Sequence, residues 1–436
     1  MAADFPKAYG RTIPWEPCGY TPAQIRSAYG IGKTALTGKG VKIAIVSLLA
    51  SSTLRADVNT YATNHGEKPF ASGQLTLRLP ADASIYLGDD EGTMDLEAVH
   101  AIAPDAAVVF DVGTGSVTGD GVLDALTDIV DHRLADVVTS SYYQGTLPGG
   151  EEPEEQVSPA VIQATEQSLQ QAAVEGISVN FTSGDSGGLP DGTRQLNYPG
   201  SSPWVTSVGG TSLAIGVKGE YAWETGWETD ASPLSADGTS WTKPLPGEFS
   251  GGAGGGASTV FPQPFFQRHV VPTALSTLAG GKPMRTIPDI AALADFHTGF
   301  LIGVSYPAAD GEAAEYRESS SGGTSLACPL IAGMEALANQ AAGGEPLGFA
   351  NPALYALQGT KAYHDVTDHP RGAHSMEAVA AKVAIPRSQQ VITKLFTLGQ
   401  AADAGLVSGA GYDTVTGVGS PTGNFFDALG DTADRE

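Results

Sequence analysis

Cysteine is nearly missing from this 436-residue chain, which holds only Cys18 and Cys328. Two thiols exclude a disulfide framework, allow one bond at most, and lack the partner ligands of a zinc knuckle. Long apolar runs are missing as well. None approaches the roughly 18 residues of a membrane span, and the opening MAADFPKAYG has no basic region followed by an apolar stretch, so neither a membrane anchor nor a signal peptide is expected in this chain. Basic residues are few, 23 against 48 acidic ones, and the resulting formal charge of −25 repels nucleic-acid phosphates and anionic lipid head groups. Nucleic acid and membrane are therefore not expected partners. The acidic surplus shrinks as carboxylates protonate near about pH 4, which is compatible with work in acid. Histidine occurs eight times and never in a His-Gly-Thr-His setting.

What is present is a globular, loop-rich composition: 41% hydrophobic, 16% charged, 56 glycines and 28 prolines, which excludes disorder of the whole. The length exceeds the usual single core, but parallel α/β layers with long loops reach it as one domain, expected here over 1–436. VKIAIVS (41–47), AAVVFDV (106–112), DVVTSS (136–141) and GISVNFTS (176–183) are almost continuously apolar, as strands of a buried parallel sheet must be. Helices are expected at 54–65, 91–103, 120–132 and 158–175, the last opening Ser-Pro as a cap followed by a first-turn proline. The alternation predicts an α/β fold, a doubly wound, mainly parallel central sheet with helices on both faces. Segments 145–157 and 214–257 read as surface loops, and the EEPEE run (151–155) as a solvated one.

The chemistry centres on SSSGGTSLACPLIAG (319–333), where Ser325 follows Gly-Gly-Thr and precedes a proline by four residues. A serine nucleophile needs a base. The helix before the AAVVFDV strand carries Glu91 and Asp95, four apart and so on one helical face. Two such acids share a proton rather than both ionise, and the ionised member can act as base in acid, where an imidazole is already protonated. Asp185, in SGDSGG (183–188), follows an apolar strand at the edge where open sheets build their sites. When protonated it can donate to a developing oxyanion. Taken singly, Ser325 also reads as a helix cap, the Glu91/Asp95 pair as a solvated helix start and Asp185 as a turn former. His100 and Cys328 read as packed residues, and the Asn180 sequon is discounted because it lies in a buried strand.

Together these features resemble the sedolisin family, serine-carboxyl peptidases with the subtilisin fold. The likeness runs from YTPAQIRSAYG (20–30) to GYDTVTGVGSP (411–421), through YPGSSPWVTSVGGTSL (198–213), GGGASTVFPQPFFQ (254–267), RTIPDIAALADFHTG (285–299), GGTSLACPL (322–330) and GFANPALY (348–355). It implies a subtilisin-like catalytic domain, with Ser325 as nucleophile, Glu91 as general base, Asp95 as the group orienting Glu91, and Asp185 as oxyanion donor. It implies one Ca²⁺ near the C-terminus, held by Asp365, the carbonyls of Val366, Gly409 and Gly411, and Asp413; residues 369–407 separate the two halves of that site, and the family's glycine-rich continuation is missing from DVTDHPRGAHS. It implies polypeptide substrates paired with the strand end 139–145, where Ser140, Ser141, Tyr142 and Tyr143 would contact them. Two positions depart from some relatives: Ser47 replaces an acid and Tyr142 a tryptophan. Relatives are made with an N-terminal prodomain, so the chain reads as the mature portion of a secreted, monomeric endopeptidase, its own prodomain a further expected partner. A tripeptidyl exopeptidase and a catalytically silent binding scaffold remain open alternatives.

Overall fold

The computed structural model of the chain describes every residue except 1–4, 82, 115–119, 145–152, 189–195, 309–313, 368–376, 386–389, 400–407 and 434–436. The strand Lys42–Ser47 lies at its centre because its side chains are apolar on both faces. Ile43 and Ile45 are fully buried in one core, with side chains of the helices Asp90–Ile102 and Thr324–Ala341. Ala44 and Val46 are equally buried in a second core, with side chains of Gly121–Asp131 and Pro159–Val174. Alternate residues thus feed opposite helical layers, which is why no polar alternation shows in the sequence.

Around this strand runs an eight-stranded sheet, in the order Ile290–Leu293, Thr206–Ile215, Ser178–Thr182, Val137–Ser140, Lys42–Ser47, Ala107–Val112, Leu75–Arg78. All of these pair in parallel, and Tyr221–Gly226 adds antiparallel to Thr206–Ile215. The chain leaves Lys42–Ser47 first toward Leu75–Arg78 and Ala107–Val112, then returns to build outward on the other side. The reversal opens a crevice at the carboxyl ends of the strands. The expected strands and helices occur, with Ser158 as N-cap and Pro159 in the first turn.

Two expectations are overturned. Residues 214–257 are not simply loops: Tyr221–Gly226 joins the main sheet, and Glu228–Pro233 and Glu248–Gly252 belong to a second, antiparallel sheet with Val391–Leu398 and Glu377–Ala384. Their inward side chains include buried Thr229, Asp230 and Ser232, polar residues that hide the strand period. The EEPEE run is not wholly solvated either. Glu154 is buried and accepts from Ser258 Oγ and Thr259 N, because those donors on a distant strand need an acceptor. Glu151 and Glu152, like most of the 145–157 loop, lie outside the described residues.

Candidate active site

The Gly-Gly-Thr-Ser turn is built by two glycines. Gly323 has φ +97°, a left-handed conformation that a side chain resists, and a Cβ there would stand 2.7 Å from Asp185 Oδ2. Gly322 is pressed against the Ala294 carbonyl, 2.4 Å from where its Cβ would be. The turn delivers Ser325 to the first turn of Thr324–Ala341, where backbone N–H groups have no intrahelical acceptor and carry partial positive charge.

The proline four residues on acts through the backbone. Pro329 has no N–H to give the Ser325 carbonyl, so that oxygen is left for another donor. Ser141 Oγ lies 3.1 Å from it and 2.8 Å from Asp95 Oδ1, bridging the Ser325 backbone to the acid helix.

Asp90–Ile102 starts at Asp89, whose carboxylate caps it by accepting from Gly92 N. Glu91 is half-buried at the crevice, while Asp95, one turn further, is fully buried. Burial pushes Glu91 up to about 7; the charges of Asp185 and Asp89 push the same way, and the hydroxyls of Ser325 and Ser141 oppose them. Asp95 is held well above the usual carboxylate range, by burial first and the Glu91 charge second. The pair therefore retains a proton into neutral solution, lodged on the more deeply buried Asp95. Asp89 is a further acid at this site that sequence reasoning passed over, although the Gly-Asp-Asp-Glu-Gly run carried the N-cap signal; burial lifts it to about 6.

Asp185 meets the same turn through Gly323 and Thr324. Its Oδ1 accepts from Thr324 N at 2.8 Å and Thr324 Oγ1 at 2.7 Å, with Oδ2 against Gly323. Ser140 is fully buried with its hydroxyl against the Tyr142 carbonyl, and Tyr142 and Tyr143 are half-buried. Tyr142 has Ser47 as hydrogen-bonding neighbour, so the two positions that depart from relatives meet in space.

Five of the described histidines have partners other than Ser325. His65 pairs with Glu318, His132 with Asp128 and His297 with Glu16, His100 contacts the Lys68 carbonyl, and His364 stacks on Tyr221. Cys328 is buried beside Thr139, Cys18 is exposed, and both are free. Asn180 is fully buried, its amide on Val138 O and Glu335 Oε2.

Of the residues expected to hold calcium, Asp365 contacts Gly411 and Asp413 contacts Gly409. Asp365 Oδ1 accepts from Gly411 N, while Asp413 accepts from Gly409 N, Val415 N, Thr416 N and Thr416 Oγ1. Among the described residues no group of three His, Cys, Asp or Glu is gathered, so protein ligands beyond these two carboxylates must be carbonyls. Asp413 is 4% exposed, and burial pushes its carboxyl up to about 7 against the pull of its neutral donors Gly409 N, Val415 N, Thr416 N and Thr416 Oγ1. Two carboxylates with backbone oxygens fit a hard divalent ion.

Residues 83–360 match the subtilase family model. The chain is 30% identical over 421 residues to kumamolisin of Bacillus sp. (strain MN-32), covering 93% of this chain and 63% of that protein. It is 27% identical over 372 residues to sedolisin of Pseudomonas sp. (strain 101), covering 81% and 56%. Human tripeptidyl-peptidase 1 is 31% identical over 286 residues, 62% of this chain and 40% of that protein. The chain thus spans between two fifths and two thirds of these relatives' lengths. In fold it resembles Pseudomonas sedolisin, a serine-carboxyl proteinase solved with two molecules of pseudo-iodotyrostatin, at a TM-score of 0.67 and 22% identity, covering 98% of this chain and 100% of that one.

Proposed function

The chain belongs to the subtilase family, in its sedolisin branch, and on that footing we propose that it is an acid-active serine-carboxyl endopeptidase. The observation that carries this reading is the convergence of Ser325, Glu91, Asp95 and Asp185 at one crevice, with the Glu91 carboxylate as hydrogen-bonding neighbour of the Ser325 hydroxyl. Ser325 Oγ attacks the peptide carbonyl and Glu91 takes its proton, later giving it to the leaving amine. Asp95 keeps its own proton and, with Ser141, fixes the Glu91 carboxylate. The tetrahedral oxyanion forms between the Ser325 N–H and Asp185, whose proton belongs on Oδ2 because Oδ1 is already taken by two donors. Water then hydrolyses the acyl-enzyme by the same route.

Two protonation states bound activity: Glu91 must be ionised and Asp185 protonated. A neutral Asp185 removes one of the charges holding Glu91 high, so in the working state Glu91 ionises below the value of about 7 it has otherwise. The window therefore falls on the acid side of neutrality. Cleavage of a denatured protein from about pH 2.5 to 8, a range spanning ordinary carboxylate and imidazole pKa values, tests this with Ser325→Ala and Glu91→Ala alongside. Activity confined to acid and lost in both variants supports the reading; activity at neutral pH that survives Glu91→Ala refutes it.

Similarity to tripeptidyl-peptidase 1 favours a second mode, removal of tripeptides from free N-termini. A peptide blocked at its N-terminus separates the two, since only an endopeptidase cuts it. The same reading assigns substrate pairing to Ser140, Ser141, Tyr142 and Tyr143, and one Ca²⁺ to Asp365, Val366, Gly409, Gly411 and Asp413, where it would brace the loop without entering the chemistry. It also makes the protein secreted and monomeric, with its own prodomain as a partner before maturation.

A further inference from the structure

Residues 369–407 interrupt the calcium segment, and their described part forms an antiparallel pair, Glu377–Ala384 with Val391–Leu398. The pair does not project into solvent. Val391–Leu398 adds to Glu228–Pro233, with Lys394 opposite Pro233 and Phe396 opposite Ala231. A period of two puts Lys394 and Phe396 on one face of the strand. That face closes a pocket of about 370 Å³ whose lining includes Asp185, Trp227, Phe296, His297, Lys394 and Phe396.

The pocket is continuous with the site described above. Asp185 belongs to both, and the Phe296 backbone abuts Gly322 in the nucleophile turn, with its amide nitrogen 2.7 Å from where a Cβ of Gly322 would stand. Glu91, Ser141 and Tyr142 neighbour Ser325 without lining this pocket, and the peptidase reading pairs the strand end 139–145 with the substrate. The pocket is what remains for the departing half. Its walls are aromatic: Trp227 and Phe296 have ring centres 6.0 Å apart, and His297 stacks on Phe396 at 3.5 Å. The charges are unevenly committed. Asp295, also in the lining, is fully buried and its oxygens accept from Ser212 Oγ, Thr229 Oγ1 and His297 N. His297 is paired with Glu16. Lys394 is half-buried and has no carboxylate partner among the described residues.

We propose that this pocket is a specificity subsite for the substrate residue just after the scissile bond, taking a large aromatic side chain and rejecting a basic one through Lys394. Aromatic walls gain from burying an apolar ring. An ammonium brought beside Lys394 meets like charge, while the Asp295 carboxylate of the lining is fully buried behind its three donors. The inference rests on the peptidase reading, and it makes the inserted strand pair a selectivity element of this chain.

The test uses internally quenched peptides that differ only in the residue after the cut, Phe, Leu, Arg or Glu, with cut positions mapped by mass spectrometry. The wild type is expected to favour Phe over Arg by roughly ten- to a hundredfold in kcat/KM. Phe396→Ala should reduce the Phe rate about tenfold, and Lys394→Glu should raise the Arg rate by a similar factor. Lys394 is not in a packed core, so that variant stays informative if Phe396→Ala fails to fold. Ser325-dependent cleavage whose ranking is unchanged by Lys394→Glu overturns the subsite and leaves the peptidase reading intact. A changed preference on the acyl side instead overturns the placement. No Ser325-dependent cleavage of any peptide overturns both, since the pocket then has no substrate to sort.

Discussion

Glu335 offers a direct test of how buried carboxylates tie this protein to acid. It lies fully buried on the helix that Ser325 opens, beneath the strand Ser178–Thr182. Oε2 accepts from Ser178 Oγ and Asn180 Nδ2, both at 2.8 Å, and Oε1 has no partner. Burial raises its carboxyl from an ordinary 4.5 to about 7, against the pull of those two donors. Because the folded chain holds this proton more tightly than the unfolded chain, the associated stability is fully present below about pH 4.5 and is lost as pH rises through about 7. At about 1.4 kcal/mol per pH unit the loss comes to about 3 kcal/mol. Glu335→Gln keeps an acceptor for Ser178 and Asn180 and removes the titration. Its amide N–H₂, at the unpartnered Oε1 position, costs about 1 kcal/mol. Urea unfolding followed by tryptophan fluorescence, in a Ser325→Ala background to prevent self-cleavage, should show the variant about 1 kcal/mol less stable than its parent at pH 4. At pH 7 it should be about 2 kcal/mol more stable. An equal difference at both pH values would refute the reasoning, because it would mean that Glu335 ionises alike in folded and unfolded chains.

Ser141→Ala should lower kcat by about tenfold with little change in KM and move the acid limb of the pH profile upward, because Ser141 normally lowers the Glu91 and Asp95 values; Ser141→Thr should restore the limb if the hydroxyl is what matters. Gly323→Ala should cost on the order of 10²-fold in kcat and at least about 1 kcal/mol in stability, read by rate and melting temperature together, since its Cβ both strains the turn and displaces Asp185. A calcium chelator should lower the melting temperature of the parent and leave an Asp413→Ala variant unaffected; an unchanged parent would remove the calcium assignment. A thiol reagent should label Cys18 alone in the native protein and Cys328 only after unfolding, because Cys328 is buried and its thiol is pushed up.

The α/β architecture was legible in the sequence because strands covered on both faces are rich in apolar residues: VKIAIVS is apolar on both faces, and GISVNFTS keeps enough apolar residues to stand out although its Ser178 and Asn180 are buried against Glu335. The antiparallel sheet was not, since Thr229, Asp230 and Ser232 are buried with polar partners rather than against an apolar face. A polar strand and a loop look alike until the partner strand is known. Glu154 misled for the same reason: its acceptors are satisfied by Ser258 and Thr259, about a hundred residues away.

At the candidate site, local chemistry marked each main residue. Gly-Gly-Thr-Ser needs glycine at the turn, a four-residue spacing puts Glu91 and Asp95 on one helical face, and Asp185 follows a buried strand. Each of these rules operates within a few residues, so the sequence alone determined them. Only the tertiary structure decided what joins them: Ser141 between the carbonyl freed by Pro329 and Asp95, Thr324 orienting Asp185 across 139 residues, and the inserted strand pair closing a pocket beside that aspartate. Those contacts come from segments remote in the chain, and the angle at which two packed elements meet is set by the side chains between them rather than by either segment's own residues.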